Sequence, residues 1–178
     1  TYGLTGKNTM MLNASLHNFS NLSDESLLIK RLRFIKSNQE IEYVQKAASL
    51  ADKALVKAWE LSHPGADEAE ILSAMQAEIF SGGGDYPGNE FIIGSGPDAL
   101  LCRYFSGRRK LDVIDQLTLE FAGVYRHYHS ALMRTIPIGI PKKEHLELHE
   151  ICLETLQACE SKLKVGNTFA DIFEQHKL

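Results

Sequence analysis

Residue types that can do chemistry gather between Thr118 and Thr135. Glu120 sits in an alternating apolar stretch, His127, Tyr128 and His129 follow after a short break, and Arg134-Thr135 close the segment. Two strands around a tight turn would bring Glu120 back against the imidazoles. A period of two places His127, His129 and Ala131 on one strand face, and Tyr128, Ser130 and Leu132 on the other. A carboxylate beside two imidazoles is an acid/base set, since each group exchanges a proton near its working pH. The same donors suit zinc or manganese. A half-solvated hairpin with polar edges uses the same residues and performs no chemistry. The residues alone leave these three readings open.

Other combinations carry less. His145 and His149 have the four-residue spacing of a helical zinc pair, but they lack the HExxH order and lie among Glu147 and Glu150, so they read as a solvated helix face. Gly94-Ser95-Gly96 has the look of a phosphate loop, yet no helix carrying a lysine follows it. Arg108, Arg109 and Lys110 read as a solvated loop or a dimer contact. Cys102, Cys152 and Cys159 show no CxxC spacing; the last two, seven apart in a helical pattern, read as small buried hydrophobes on one face. Reduced thiols of this kind imply a cytoplasmic setting. The net charge of −4 gives no basic face for nucleic acid, and no apolar run is long enough to span a membrane.

The elements that must position the segment follow from periodicity. Residues 1–27 read as irregular and 27–35 as an apolar-basic connection. Ser37 with Glu40 forms a capping box, and Ile41, Val44, Ala48, Ala51, Leu55 and Ala58 recur at helical spacing up to His63-Pro64-Gly65. A second helix is expected over 67–80, with Ile71, Leu72, Met75 and Ile79 on one face and glycines 82–84 ending it. Strands are expected at 90–94, 117–121 and 125–138, with the bend at Gly123-Val124 and Pro137 marking a sheet edge. Helices return over 142–164 and after Thr168-Asp171, the last unfinished at Leu178, as in a fragment; the chain also begins at Thr1 without a methionine. Two helices, strands, then two helices is an α+β order with a mostly antiparallel sheet.

With these elements in place, the run from Arg33 to Gly139 resembles the catalytic domain of the creatinase, aminopeptidase P and prolidase family, the pita-bread hydrolases. The resemblance rests on Arg33-Phe34-Ile35-Lys36-Ser37 with Glu40-Ile41, on Phe91-Ile92-Ile93-Gly94-Ser95-Gly96, and on Leu119-Glu120-Phe121-Ala122-Gly123 followed by Tyr128, Arg134-Thr135 and Gly139. It implies that residues 1–30 end an N-terminal domain and that 31–178 form the first part of a pita-bread catalytic domain, incomplete at its C-terminus. It also implies a homodimer.

The resemblance further implies a site. Peptidases of the family place one Asp on the first hairpin strand and a second Asp three residues before Arg-Thr. Here those positions hold Glu120 and Ala131. The family's remaining ligands, a His and two Glu, would fall beyond Leu178. A two-metal bridge needs every ligand, and alanine supplies none. The family also contains metal-independent members, creatinase among them, and the run Arg126-His127-Tyr128-His129 before Arg134-Thr135 most resembles the ectoine hydrolase-like branch. Its small substrates carry an amidinium or guanidinium. Glu120 would hold such a cation through two parallel hydrogen bonds, and His129 or His127 would move the proton. Arg103 aligns with the family's substrate-handling His and would bind a substrate carboxylate, with Tyr128 and Arg134 completing the substrate set; alternatively Tyr128 packs and Arg134 braces the hairpin.

The expected function is therefore hydrolysis of a C–N bond in a small amide or amidine, with catalytic Glu120, His129 and His127 and no metal or other cofactor. The alternative is a Xaa-Pro dipeptidase or aminopeptidase using manganese, cobalt or zinc, with His129 or His127 substituting as ligand. A non-catalytic binding module of the same fold is the third expectation. In each case the partner is a small molecule, without nucleic acid or membrane.

Overall fold

The computed structural model describes residues 3–100 and 107–177. The chain divides into two compact units, Thr1–Ile41 and Glu42–Leu178. In the first, α1 (Gly6–Leu16) and α2 (Ser26–Phe34) bury no residue. Both are helical where the sequence reads as irregular or as a connection. For α1 the local cause is Thr5, whose hydroxyl accepts from the Asn8 N–H and so satisfies one orphan donor. The Ser37–Glu40 capping box forms as expected: the Glu40 carboxylate accepts from the Ser37 N–H at 2.7 Å and the Ser37 hydroxyl from the Glu40 N–H at 3.3 Å.

The second unit is helices on one face of a sheet. Helix α3 (Asn38–Leu61) buries a stripe of Ala47, Leu50, Ala51, Ala54, Leu55 and Ala58. Helix α4 (Glu68–Ser81), capped by Asp67, buries Ile71, Met75 and Ile79. Each of these three large side chains contributes about 1.5–3 kcal/mol through burial. Strand β1 (Ile92–Ser95) runs into a 3-10 turn at Gly96–Asp98. Strands β2 (Asp115–Tyr125) and β3 (Tyr128–Ile138) form a hairpin, and the antiparallel order is β1-β2-β3. Leu117, Leu119 and Phe121 of β2, Ile93 of β1, and Ile136 and Ile138 of β3 complete the core. Pro137 lies on β3, an edge of this sheet, where its missing N–H costs no ladder bond.

The hairpin turns later than the sequence suggests. Gly123 is not at the bend but inside β2, paired with Ser130. It is glycine because α3 crosses there: a Cβ would lie 2.0 Å from the Ala47 carbonyl oxygen and 2.6 Å from the Ala51 nitrogen. The stripe of alanines on α3 permits the same close approach from the helix side. The turn itself is Arg126-His127, both left-handed at φ 51° and 64°. A two-residue hairpin loop of this twist requires both residues there, at about 1–2 kcal/mol each for non-glycine side chains.

Helices α5 (Lys143–Ser161) and α6 (Phe169–His176) pack on each other, and neither buries a residue. The Thr168–Asp171 capping box forms. Leu148, Ile151, Leu156, Phe169 and Phe173 remain exposed. Cys152 is exposed and Cys159 only partly buried, so the expectation of two buried thiols fails: the face they share is not covered.

Candidate active site

The hairpin register decides what faces what. Direct cross-strand pairs share a sheet face. Thr118↔Thr135, Glu120↔Met133, Ala122↔Ala131 and Val124↔His129 therefore lie on the face away from the helices, and Ile92 of β1 pairs with Glu120 on that same face. Leu119↔Arg134, Phe121↔Leu132 and Tyr125↔Tyr128 belong to the core face. Glu120 is half-buried in the central strand, while His129, Ala131, Met133 and Thr135 are exposed on the edge strand. Ala131 is the diagonal neighbour of Glu120, roughly 7–8 Å away across the sheet. The two positions that the family resemblance marks for carboxylates are thus brought together, one with a carboxylate and the other with a methyl group.

Of the remaining expected site residues that the structure describes, only His129 shares a face with Glu120, and it lies four residues along the hairpin, opposite Val124, roughly 13 Å away. His127 is not on the strand; it occupies the turn, where its N–H donates to Asp85 Oδ2 at 3.0 Å. The two-residue turn consumes it, so the expected face of His127 with His129 and Ala131 does not form. Tyr128 points to the opposite face, its ring 5.7 Å from that of Tyr43, which also packs on Tyr125. Arg134 is on that face too, exposed, and its Nη1 donates to the carbonyl of the preceding residue, Met133, at 2.8 Å. Neither Tyr128 nor Arg134 shares a face with Glu120. Arg103 lies outside the described residues, as does Cys102.

His129 is held by both ring nitrogens. Nε2 accepts from the Gly88 N–H at 2.8 Å, and Nδ1 meets the His127 carbonyl at 2.9 Å. A carbonyl only accepts, so Nδ1 carries the proton and the Nε2 lone pair is already used. Acid/base work or metal ligation through Nε2 would first release Gly88. Among the described residues no group of three His, Cys, Asp or Glu side chains converges as a metal site. With a methyl at 131 and Nε2 engaged, this hairpin offers a single carboxylate and does not fit a dinuclear centre.

The sequence reading missed a buried polar network behind the sheet. Glu68, the first residue of α4, is fully buried. Its carboxylate accepts from Ser95 Oγ at 2.6 Å and from the Arg108 and Arg109 N–H groups at 3.0 and 3.1 Å. The Arg109 guanidinium donates to Ser95 Oγ at 2.5 Å, to Asp115 at 3.1 Å and to Asp112 at 2.6 Å. Asp115 is 2% exposed. Burial pushes its carboxyl up, but the Asp112 and Gln116 N–H groups and the Arg109 charge outweigh burial and hold it below the ordinary carboxylate value of 3.8. Burial opposes the charge on Arg109 as well, and Asp115, Asp112 and Glu68 overcome it, so the guanidinium is held above its ordinary value. Arg109 is therefore not a solvated loop residue: it joins the end of β1 to the start of β2. No sequence signal separates a buried Glu at a helix start from an exposed one that favours the helix dipole.

A cleft of about 490 Å³ lies at this far end, lined among others by Asp112, Gln116, Ile114, Ile140, Lys142 and His145. Gln116 and Glu120 are four residues apart on β2, roughly 13 Å, so the cleft lies towards the other end of the strand and does not include Glu120. His149 is exposed, in keeping with a solvated helix face. Among the described residues no helix is long and apolar enough to cross a membrane.

A three-stranded antiparallel sheet with helices on one face and a hairpin that presents Glu120 and position 131 on the other has the pita-bread fold, and known proteins of that fold superpose on it. The X-Pro aminopeptidase of Thermotoga maritima matches 98% of this chain and 49% of its own, with a TM-score of 0.81 at 20% identity. The Pyrococcus horikoshii prolidase matches 99% of this chain and 50% of its own, with a TM-score of 0.88 at 26% identity. The chain belongs to the metallopeptidase family M24, whose profile matches residues 42–177. In sequence, it is 31% identical over 145 residues to the Xaa-Pro dipeptidase of Pyrococcus furiosus, covering 82% of this chain and 42% of that protein. It is 29% identical over 159 residues to the Xaa-Pro dipeptidase of Pyrococcus horikoshii, covering 89% and 44%. The chain thus spans less than half the length of these relatives. They carry the dipeptidase name, and none of them points to the ectoine hydrolase-like branch.

Proposed function

We propose that this chain contributes the Glu120 face to a hydrolase that adds water across a C–N bond of a small substrate. The observation that carries the reading is the pair of positions on the open face: a carboxylate at 120 and a methyl at 131, diagonal to each other. A lone carboxylate there suits a planar N–C–N cation, which donates two parallel hydrogen bonds to it and needs no second ligand. Glu120 orients the substrate and offsets its charge. His129 acts in this reading as a brace rather than as the proton carrier. A small-molecule substrate, a homodimeric assembly and a cytoplasmic setting belong to the same proposal and rest on the family resemblance.

A second reading is favoured by the relatives, which are Xaa-Pro dipeptidases in a family named for metallopeptidases. In that reading Glu120 is the one carboxylate this hairpin offers to manganese, cobalt or zinc, and position 131 offers none.

Elemental mass spectrometry on the full-length protein, purified without chelator, separates the two when paired with turnover before and after EDTA. The first reading expects chelator-resistant hydrolysis of amidine or guanidine compounds. It also expects Glu120→Gln to lower kcat/KM about 10- to 100-fold, the range of a lost charge-assisted hydrogen bond of roughly 1.5–3 kcal/mol. Stoichiometric metal with EDTA-sensitive cleavage of Xaa-Pro dipeptides would replace it with the second. Neither metal nor turnover would leave a binding module with the same fold.

A further inference from the structure

The hairpin tip and the loop between α4 and β1 are tied together by three hydrogen bonds, and a fourth braces the tip itself. The Asp85 N–H donates to the Val124 carbonyl at 3.1 Å, and Asp85 Oδ2 accepts from the His127 N–H at 3.0 Å. His129 supplies the other two, taking the Gly88 N–H on Nε2 and giving Nδ1–H to the His127 carbonyl. Asp85 and His129 therefore hold opposite ends of one loop segment. Both also grip His127, which is left-handed at φ 64° and relies on its neighbours to stay there.

The approach is close. A Cβ on Gly88 would stand 3.4 Å from His129 Nε2, at the near edge of van der Waals contact, so the imidazole lies directly against the Gly88 backbone. Four residues beyond Gly88 the chain reaches Ile92, which pairs directly with Glu120. The loop that His129 anchors is the lead-in to the strand beside the candidate carboxylate.

We propose that His129 is a positioning residue: in its Nδ1–H tautomer it locks the α4–β1 loop to the hairpin tip and so sets β1 beside Glu120. The last link rests on the reading of Glu120 given above; the lock itself does not. The argument is one of donors and acceptors. The Gly88 N–H has only a proton to give and the His127 carbonyl only lone pairs, so just one neutral tautomer satisfies both. An imidazole that served as a mobile acid/base would alternate between tautomers or charge states and would break one arm each time.

The test uses isotope-labelled protein. Ring ¹⁵N shifts report the tautomer, and the Gly88 amide reports the lock by its proton shift and exchange rate. The wild type is expected to show Nδ1–H and a slowly exchanging Gly88 amide. His129→Ala is expected to lose that protection, and His129→Gln to recover much of it, because the Gln carbonyl oxygen reaches the place of Nε2. Titration with acetamidinium chloride, followed on the Glu120 carboxyl carbon, reads the consequence. The Kd is expected to rise several-fold in His129→Ala and to return towards wild type in His129→Gln. An Nε2–H tautomer, or a Gly88 amide unchanged in His129→Ala, would overturn the lock. If His129→Ala does not fold, the wild-type tautomer and the Gln variant still decide. A wild type that does not bind acetamidinium would count against the reading of Glu120, while the Gly88 signals would still judge the lock.

Discussion

Replacing Glu68 with alanine tests whether the buried network holds the β1 end of the sheet. The side chain is fully buried and accepts three donors, the Ser95 hydroxyl and the Arg108 and Arg109 N–H groups. Removing it leaves those three donors without their acceptor, while the Arg109 guanidinium keeps Ser95 Oγ, Asp112 and Asp115. Each donor left without a partner costs about 1–3 kcal/mol. The three donors are neighbours and relax together, so their effects do not add fully and the expected loss is about 3–5 kcal/mol. For a chain of this size 1 kcal/mol moves Tm by about 2–4 °C, so Tm should fall by about 6–20 °C. Calorimetry of the two proteins side by side, with urea unfolding as a second probe, gives the number. Glu68→Gln should sit between them, since one carbonyl oxygen can still accept while the amide N–H₂ faces donors. A Glu68→Ala protein within about 1 kcal/mol of wild type would refute the argument that these bonds are dry and fully formed.

Further outcomes follow from the same geometry. Gly123→Ala puts a methyl 2.0 Å from the Ala47 carbonyl oxygen, so α3 must move off the sheet, and urea unfolding should show a loss of about 1–3 kcal/mol or more. Asp115 is held below 3.8 in the folded chain, so the stability it contributes is present above that pH and is lost as pH falls through the folded value; Asp115→Asn should flatten the acid limb of a Tm-versus-pH curve below pH 3.8. An acid limb unchanged in that variant would assign the loss to other carboxylates.

How much of this was readable from the chain differs element by element. Ser37–Glu40 and Thr168–Asp171 act within one turn, so their spacing suffices to place two helix starts. The face of α4 follows from Ile71, Met75 and Ile79 for the same local reason. The strand alternation that sets His129 and Ala131 against Tyr128 and Leu132 is local too, and the register keeps it. The bend was not local. A glycine marks either a turn or a close approach, and only the passage of α3 over Gly123 decides between them. Moving the turn to Arg126-His127 removed His127 from the strand.

The sequence by itself determined the helices and strands after residue 36, the α+β order, the family resemblance, and the coincidence of Glu120 with an alanine where a second carboxylate would stand. These are properties of spacing and residue type along one strand or one helix turn. Only the tertiary structure decided that Glu68 is buried, that Arg109 binds Asp115, and that His129 is committed at both nitrogens to Gly88 and His127. Those facts join residues up to 41 positions apart, and two of the donors, the Gly88 and Arg109 N–H groups, are backbone groups, which every residue but proline carries and which leave no mark in the sequence.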